Sequence, residues 1–198
     1  MSSSVTNIVS HQVFLLSPAN CSGKRAGSLL NGKSTTSVAE RLRSSDGATI
    51  GEVFTFMSAL YFRGKLAYAS AFAQPPSGWD GVQVIVPGRG LRPAAERIDI
   101  GELRKIAKVD VDLEDKRYTR PLRRDAGRLA EHLRPDGKVV LLGSIATRKY
   151  LEPLHEVLGP HLHYPKAFVG LGDMSRGSLM LKCAADGREL AYVQPAIA

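Results

Sequence analysis

The sequence predicts a single three-layer α/β domain with a mainly parallel central sheet. Three apolar runs, at residues 13–20, 82–90 and 138–146, are the basis of this prediction. Each is rich in Val, Ile or Leu rather than strictly alternating, which is typical of strands covered by helices on both faces. Helical segments separate the three runs, and that alternation favours a parallel sheet.

The size of the chain and its last segment complete the fold prediction. The 198 residues, of which 43% are hydrophobic, suit one domain with a real core, and no linker or internal repeat divides them. Residues 13–198 are expected to form the domain, preceded by a flexible polar arm at 1–12. Residues 178–195 predict a C-terminal β-hairpin, because Asp186-Gly187 is a common turn pair.

Apolar spacing, capping residues and helix breakers place the helices between the strands. Serines and threonines within 31–37 can cap a short helix, two prolines at 75–76 end a long one, and Gly159 suits a helix C-terminus. The predicted helices are 38–43, 52–73, 100–107, 120–134 and 148–159. An edge strand is compatible with 109–113, and 162–177 predicts a short strand followed by a glycine-rich loop.

The long helix at 52–73 raises the question of a membrane span. Its middle carries Arg63 and Lys65, and each cation at a bilayer centre would cost roughly 2.5–3.5 kcal/mol. A helix buried in a protein core is therefore predicted, with no membrane partner. The N-terminus has neither a basic stretch nor a long apolar one, so no signal peptide is expected.

Charge and cysteine content narrow the function classes. Lys and Arg number 27 against 19 Asp and Glu, a net charge of +8, which favours a polyanionic partner such as nucleic acid or nucleotide phosphate. A basic domain without such a partner is the alternative.

Cys21 and Cys183 are far apart and form no C-x-x-C pair, which excludes a zinc ribbon or thioredoxin motif. Two free thiols in a reducing cytosol are predicted, hence a cytoplasmic location.

Ligands of such sheets bind outside the carboxyl ends of the strands, here the loops 17–25, 87–93 and 143–149. Small residues, hydroxyls and cations in these loops suit a phosphate, although the P-loop spacing is absent. The glycine-rich segment 170–177 adds one more cation. The predicted ligand-binding residues of these loops are Asn20, Cys21, Ser22, Lys24, Arg25, Arg89, Ser144, Lys149 and Arg176. Ordinary strand-to-helix turns with solvated cations are the alternative.

The long helix and the glycine-rich segment add further candidates. Tyr61, Lys65 and Tyr68 share a helix face at i, i+4 and i+7, and could line a wall for a base or sugar; a face partly open to water is the alternative. Asp173 is the one carboxylate in the selected loops, which makes it the predicted general base, unless it forms a structural Asp–Arg pair. Cys21 could be a nucleophile if Lys24 lowered its pKa, but a packing role is favoured.

The densest positive patch lies in the segment 116–128. Arg117, Arg120, Arg124 and Arg128 would form one helical stripe if the helix begins early enough, and such a stripe could follow a nucleic-acid backbone or simply be a solvated face. His161 and His163 would share a strand face, but no acidic residue is near them. No metal ion or other cofactor is therefore predicted.

Several of these motifs occur in the order found in a known family. They are Cys21-Ser22-Gly23-Lys24, the helix through Tyr61, Phe62 and Ala69, the run Arg89-Gly90-Leu91 with Pro93, and the turn from Gly143 to Tyr150. With them the chain resembles, over about residues 13–175, a family of uncharacterised bacterial and phage domains. That family is distantly similar to DNA-binding peroxide-stress proteins and, in layout, to uracil-DNA-glycosylase-like folds.

The resemblance implies an α/β fold and a nucleic-acid context, but not a particular reaction. The family's aromatic residue before Gly-Leu is missing, because Pro87-Gly88-Arg89 stands there. The glycosylase motifs Gly-Gln-Asp-Pro and His-Pro-Ser are also absent from the sequence.

The functional prediction is a protein that acts on a nucleotide or nucleic acid, as a hydrolase or transferase at an N-glycosidic bond. The alternatives are a non-catalytic DNA- or RNA-binding protein and a stress or defence protein that binds a small nucleotide. The oligomeric state is left open. A shared ligand site requires that Asn20, Lys24, Arg89, Lys149 and Asp173 converge in the fold.

Overall fold

The computed structural model describes residues 10–196. The strands are β1 (Gln12–Leu16), β2 (Ala48–Thr49), β3 (Val82–Val86), β4 (Gly90–Pro93), β5 (Arg97–Ile98), β6 (Lys138–Leu142), β7 (Leu162–Pro165) and β8 (Tyr192–Val193). The helices are α1 (Lys24–Leu30), α2 (Ser37–Arg43), α3 (Ile50–Phe72), α4 (Ile100–Ile106), α5 (Lys116–Ala130), α6 (Arg148–Leu158) and α7 (Asp173–Ala185). Short 3-10 turns flank β7 at Gly159–His161 and Lys166–Phe168.

The main sheet has six strands in the order β4-β3-β1-β6-β7-β8. The four inner strands are parallel, and β4 and β8 add antiparallel edges. Successive side chains of β1 enter opposite cores: Phe14 and Leu16 face α3 and α7, whereas Val13 and Leu15 face α5 and α6. The predicted single α/β domain with a mainly parallel sheet covered on both faces is confirmed.

The C-terminal part of the prediction needs a correction. An antiparallel strand pair does end the sheet at this edge, but it joins β7 to β8. Residues 173–185 are helical, so the predicted first arm of a hairpin within 178–195 is wrong. The buried residues Arg176, Met180 and Cys183 recur with helical spacing, and burial of that face against α3 outweighs the turn signal. Gly187, at φ +62°, still redirects the chain, but after a helix.

The smaller corrections concern loops and the first residues of helices and strands. Residues 109–113 form no strand, and α1 was not predicted from the sequence. Helix α5 begins at Lys116 rather than at 120, because the Asp115 carboxylate accepts the Arg117 backbone N–H at the helix N-terminus. The predicted N-terminal arm lies outside the described residues up to position 9, and β1 already begins at Gln12.

Helix α3 is interrupted at its centre. Thr49 and Glu52 form a capping box at its start, each side chain accepting the other's backbone N–H. At Ala59 the backbone takes φ 45° and ψ −120°, a conformation that strains any residue with a Cβ atom. The break separates the first half of the helix from the half that carries Tyr61, Lys65 and Tyr68.

Helices α3 and α7 touch through two glycines. A Cβ atom on Gly64 would lie 2.5 Å from the Gly177 carbonyl oxygen, and one on Gly177 would lie 3.0 Å from Tyr61 Cα. Any side chain at either position would push the backbones apart. The contact therefore fixes the start of α7 beside the second half of α3.

Within residues 10–196, no helix is long and apolar enough to cross a membrane.

A test of this crossing is the Gly64→Ala variant. Because the added methyl group would meet backbone rather than a flexible side chain, we expect the free energy of unfolding to fall by about 1–3 kcal/mol. Urea titration measures it. Gly27→Ala in α1 is the matched control, since a Cβ there has no neighbour within 4 Å, and it should raise stability by about 0.5–1 kcal/mol. Equal effects of the two substitutions would contradict the crossing.

Candidate functional site

A cavity of about 530 Å³ opens where β1, β3 and β6 end. All three predicted loops contribute to it, since it contains residues of 17–25 and 143–149 and, from 87–93, Pro87. We call it the strand-end cavity; its lining residues are Pro18, Ala19, Asn20, Cys21, Ser22, Pro87, Ala107, Val109, Asp110, Val111, Asp112, Lys149 and Tyr150. Its position agrees with the rule that ligands of such sheets bind beyond the carboxyl ends of the strands.

The loop after β1 is held by its own side chains. Asn20 Oδ1 accepts hydrogen bonds from the Ser22 backbone N–H at 2.9 Å and from the Ser22 hydroxyl at 2.6 Å. Burial raises the pKa of the Cys21 thiol to about 11, so the thiol stays protonated at neutral pH. The nucleophile hypothesis requires a lowered pKa, which burial opposes, and the favoured packing role agrees with the contacts of Cys21 with the core.

Two carboxylates that the sequence reasoning missed line the same cavity. Asp110 and Asp112 belong to the segment interpreted as an edge strand, which is instead an irregular loop beside the cavity. The sequence does carry a signal for them, since aspartates that alternate just before a helix start suit a polar loop as well as an edge strand. Carboxylates beside the Lys149 cation give the cavity mixed charge, which suits hydroxyl groups as well as phosphate.

Lys65 is buried next to this cavity, at the end of β1. Its Nζ donates to the Ser17 carbonyl oxygen at 2.7 Å and to the Ser17 hydroxyl at 3.0 Å. It also lies 4.5 Å from the centre of the Tyr61 ring and 4.8 Å from that of Phe62. Lys65 makes no salt bridge with a carboxylate in the described part of the chain. We call Ser17, Tyr61 and Lys65, with Asp173 and Arg176, the lysine cluster.

Burial dominates the protonation of the lysine cluster. It lowers the pKa of Lys65 to about 7, although Asp173 opposes this change. It also raises the pKa of Tyr61, whose hydroxyl is buried. The nearby Arg176 guanidinium offsets part of that rise. The alternative of a helix face open to water is wrong here, since Lys65 is only 1% exposed.

Tyr68, the third member of the predicted row, is directed to a different region. Its hydroxyl hydrogen-bonds that of Tyr192 at 2.7 Å and accepts from the Leu190 backbone N–H. It therefore fastens the C-terminal segment to α3 and contributes nothing to the strand-end cavity.

Asp173 stands at the first position of α7 rather than in a glycine-rich loop. Its side chain is 66% exposed and lies 3.7 Å from the Arg176 guanidinium. Arg176 is itself buried and donates to the Phe168 carbonyl oxygen at 3.0 Å. The Asp–Arg pair considered as a structural alternative thus exists, but the exposed carboxylate is still accessible to a ligand.

Tyr150 connects the lysine cluster to the cavity. It lines the strand-end cavity, and its pKa is raised to about 12, mainly by burial and further by Tyr61 and Asp173. The carboxylate of Asp173 therefore lies close enough to Tyr150, Tyr61 and Lys65 to act on all three electrostatically.

The expected convergence is met only in part. Asn20 and Lys149 line the strand-end cavity, whereas Asp173 does not line it and is linked to it only by the effect of its charge on Tyr150. Arg89 does not join them, because it pairs with Glu96 at 2.6 Å and Glu102 at 3.4 Å and lines a separate small cavity. The remaining predicted loop residues do not line the strand-end cavity either: Lys24 and Arg25 are exposed on α1, and Ser144 is half-buried.

The arginine stripe exists as a geometric feature of α5. Since the helix begins at Lys116, Arg117, Arg120, Arg124 and Arg128 all lie along it, and all four are exposed. Arg117 pairs with Asp115 and Arg124 with Asp125. Arg120 and Arg128 make no ion pair within the described part of the chain.

The histidines considered as metal ligands are engaged with the backbone. His161 Nδ1 lies 2.8 Å from the Gly137 carbonyl oxygen, and His163 Nδ1 lies 2.8 Å from that of His161. Among the residues described, no group of three or more His, Cys, Asp or Glu side chains is arranged to hold a metal ion.

Comparison with known proteins found no match for the chain among protein-family models, curated proteins or solved structures. The family resemblance therefore stays a prediction, and the site must be interpreted from its own chemistry.

The burial of Lys65 predicts an unusual pH dependence of stability. Unfolded lysine titrates near 10.4, whereas folded Lys65 titrates at about 7. Between these two pKa values the unfolded chain keeps a proton on this lysine that the folded chain has released. The free energy of unfolding should therefore rise with pH, by about 1–2 kcal/mol between pH 7 and 9. Urea unfolding at several pH values measures this rise.

The matched control for that measurement is Lys65→Met, which keeps an apolar stem of similar length. Its stability should be nearly flat over the same pH range. If the variant and the natural protein show the same slope, the ammonium of Lys65 is not buried as described.

Proposed function

We propose that the protein binds a nucleotide, free or within a nucleic acid, in the strand-end cavity and hydrolyses its N-glycosidic bond. The observation that supports the proposal is a polar cavity whose lining residue Tyr150 feels the charge of an exposed carboxylate, Asp173, which also acts electrostatically on Tyr61 and Lys65. A cavity of about 530 Å³ has the size of a small-ligand site.

The lining offers a partner for each part of a nucleotide. Asp110 and Asp112 can accept hydrogen bonds from sugar hydroxyls. Lys149 follows the start of α6, where no side chain caps the free backbone N–H groups, so that region favours a phosphate. The Tyr150 ring can contact the base or the sugar face.

The proposed reaction assigns roles to Asp173 and Lys65 of the lysine cluster. Asp173 accepts a proton from the attacking water, the water oxygen bonds to C1′ of the sugar, and the C1′–N bond breaks. The base leaves with the bonding electrons and takes a proton from solvent. The Asp173 carboxylate also stabilises positive charge that develops on the sugar. Lys65 is a positioning residue, because it holds Ser17 at the end of β1.

A second candidate function is nucleic-acid binding without catalysis. The observation that favours it is the stripe of four exposed arginines on α5. Affinity would then fall steeply with salt and would not depend on Asp173. Either function fits the proposed cytoplasmic location and the proposed likeness to a family of uncharacterised bacterial and phage domains.

The Asp173→Asn variant tests the catalytic proposal. Loss of the general base should lower the rate of base release by about 10²–10⁴-fold. Ligand affinity should change little. Chromatography of free base, from nucleoside monophosphates and from a single-stranded oligonucleotide, measures the rate.

Asp186→Asn, at the far end of the same helix, is the matched control and should keep full activity. If the natural protein releases no base from any of these substrates, or if Asp173→Asn releases it as fast, the catalytic proposal fails.

Lys149→Gln tests the cavity independently of catalysis. Removing a charged hydrogen-bond donor to phosphate should weaken the binding of nucleoside monophosphates about tenfold, as measured by calorimetry. Arg148→Gln is the control, because Arg148 is exposed and paired with Glu152. Equal loss in both variants would show that the cavity does not hold the phosphate.

A further inference from the structure

A second, smaller cavity of about 290 Å³ lies at the β4 edge of the sheet. It is bounded by β4, the C-terminal half of α5 and the loop before β3. We call it the edge cavity; its lining residues are Ser77, Gly78, Trp79, Asp80, Gln83, Leu91, Arg92, Pro93, Asp125, Arg128 and His132. The proposed reaction uses none of them.

Two arginines of the edge cavity lack a protein partner within residues 10–196. Arg92 Nε is buried and makes no hydrogen bond, although a buried donor left unpaired is costly. Arg128 is exposed and makes no ion pair there. Both arginines line the edge cavity, and neither is paired with a carboxylate of the described residues, which leaves their charge for an oxygen-rich anion to neutralise.

The carboxylates around the edge cavity offset only part of this positive charge. Asp125 is buried, accepts the Leu91 backbone N–H at 3.1 Å and pairs with Arg124 at 2.7 Å. Its charge is thus committed to the contact between α5 and β4. Asp80 is the other carboxylate of the lining, and it is exposed.

An aromatic side chain stands beside these cations. Trp79 is half-buried, and its ring centre lies 6.0 Å from that of His132 at an interplanar angle of 61°. Aromatic faces next to arginines are the arrangement on which the bases of single-stranded nucleic acid stack. An acidic peptide would use the cations but would gain less from the indole ring.

Helix α5 connects the edge cavity to the strand-end cavity. At its first turn, the Tyr118 hydroxyl donates to the Lys149 carbonyl oxygen at 2.9 Å, and Lys149 lines the strand-end cavity. At its other end, Arg128 lines the edge cavity. From Arg117 to Arg128 the helix rises about 16 Å, and the arginine stripe lies along this distance.

We propose that the edge cavity and the arginine stripe bind a single strand of nucleic acid, with one base on Trp79 and phosphates on Arg92 and Arg128. The proposal rests on the proposed function, because it makes the ligand of the strand-end cavity one nucleotide of a longer strand. The substrate class is then single-stranded DNA or RNA rather than a free nucleotide.

The single tryptophan of the chain allows a direct experiment. Addition of a short oligo-dT strand at low salt should quench the Trp79 fluorescence, since a stacked base quenches an indole ring. Arg92→Gln and Arg128→Gln should each weaken binding about tenfold and reduce the slope of log K against log salt by about 1. The control is Arg188→Gln, which removes an exposed cation near the C-terminus.

Three results would overturn the inference. One is binding of oligo-dT without any change in Trp79 fluorescence. A second is an equal loss of affinity in Arg188→Gln, which would show dependence on net charge alone. A third is equal quenching by poly-glutamate, which would assign the surface to acidic peptides. Circular dichroism of each variant checks that the fold is intact.

The outcome is separable from that of the proposed function. If Lys149→Gln weakens mononucleotide binding while oligo-dT leaves Trp79 unchanged, only the edge-cavity proposal fails. If oligo-dT quenches Trp79 but no base is released and no mononucleotide binds, the proposed function fails and the binding surface stands.

Discussion

The hydrogen bonds from Lys65 Nζ to Ser17 are the constraint around which the site is built. They join the second half of α3 to the end of β1. Because the Lys65 amino group is buried, Ser17 supplies the hydrogen-bond partners that water would otherwise provide. Ser17 also packs against Gly143, at the end of β6. The ends of the two central strands are thereby held with one helix, and two of the loops that line the strand-end cavity start from that junction.

A second contact, between α3 and α7, determines which groups meet at the site. The glycine contact between α3 and α7 brings Asp173 and Arg176 to the side of Tyr61. These residues are more than a hundred positions apart in the chain, and their chemistry arises only from the helix crossing. Burial lowers the pKa of Lys65 to about 7 and raises that of Tyr61, so the Asp173 carboxylate faces a lysine that can lose its proton near neutral pH and a tyrosine that keeps its own.

Much of the scaffold could be predicted from the sequence, because buried parallel strands and capped helices have strong local signals. The rule that ligands bind beyond the carboxyl ends of parallel strands identifies Asn20 and Lys149. The failures have a different physical origin. The segment of α7 predicts one arm of a strand pair, because its buried helical face becomes evident only when α3 packs against it. Arg89 was assigned to the site because no local signal shows that Glu96 and Glu102 pair with it. Asp110 and Asp112 were missed because their alternation resembles that of an edge strand.

The two-glycine contact has a consequence for how the sequence can diverge. Because backbone meets backbone at Gly64 and Gly177, neither position can acquire a side chain unless the helices separate and Asp173 moves with α7. In any related protein that keeps this arrangement, both positions should remain glycine. A relative in which one is replaced must pack these two helices differently, so a pair of small residues records whether position 173 keeps its place beside α3.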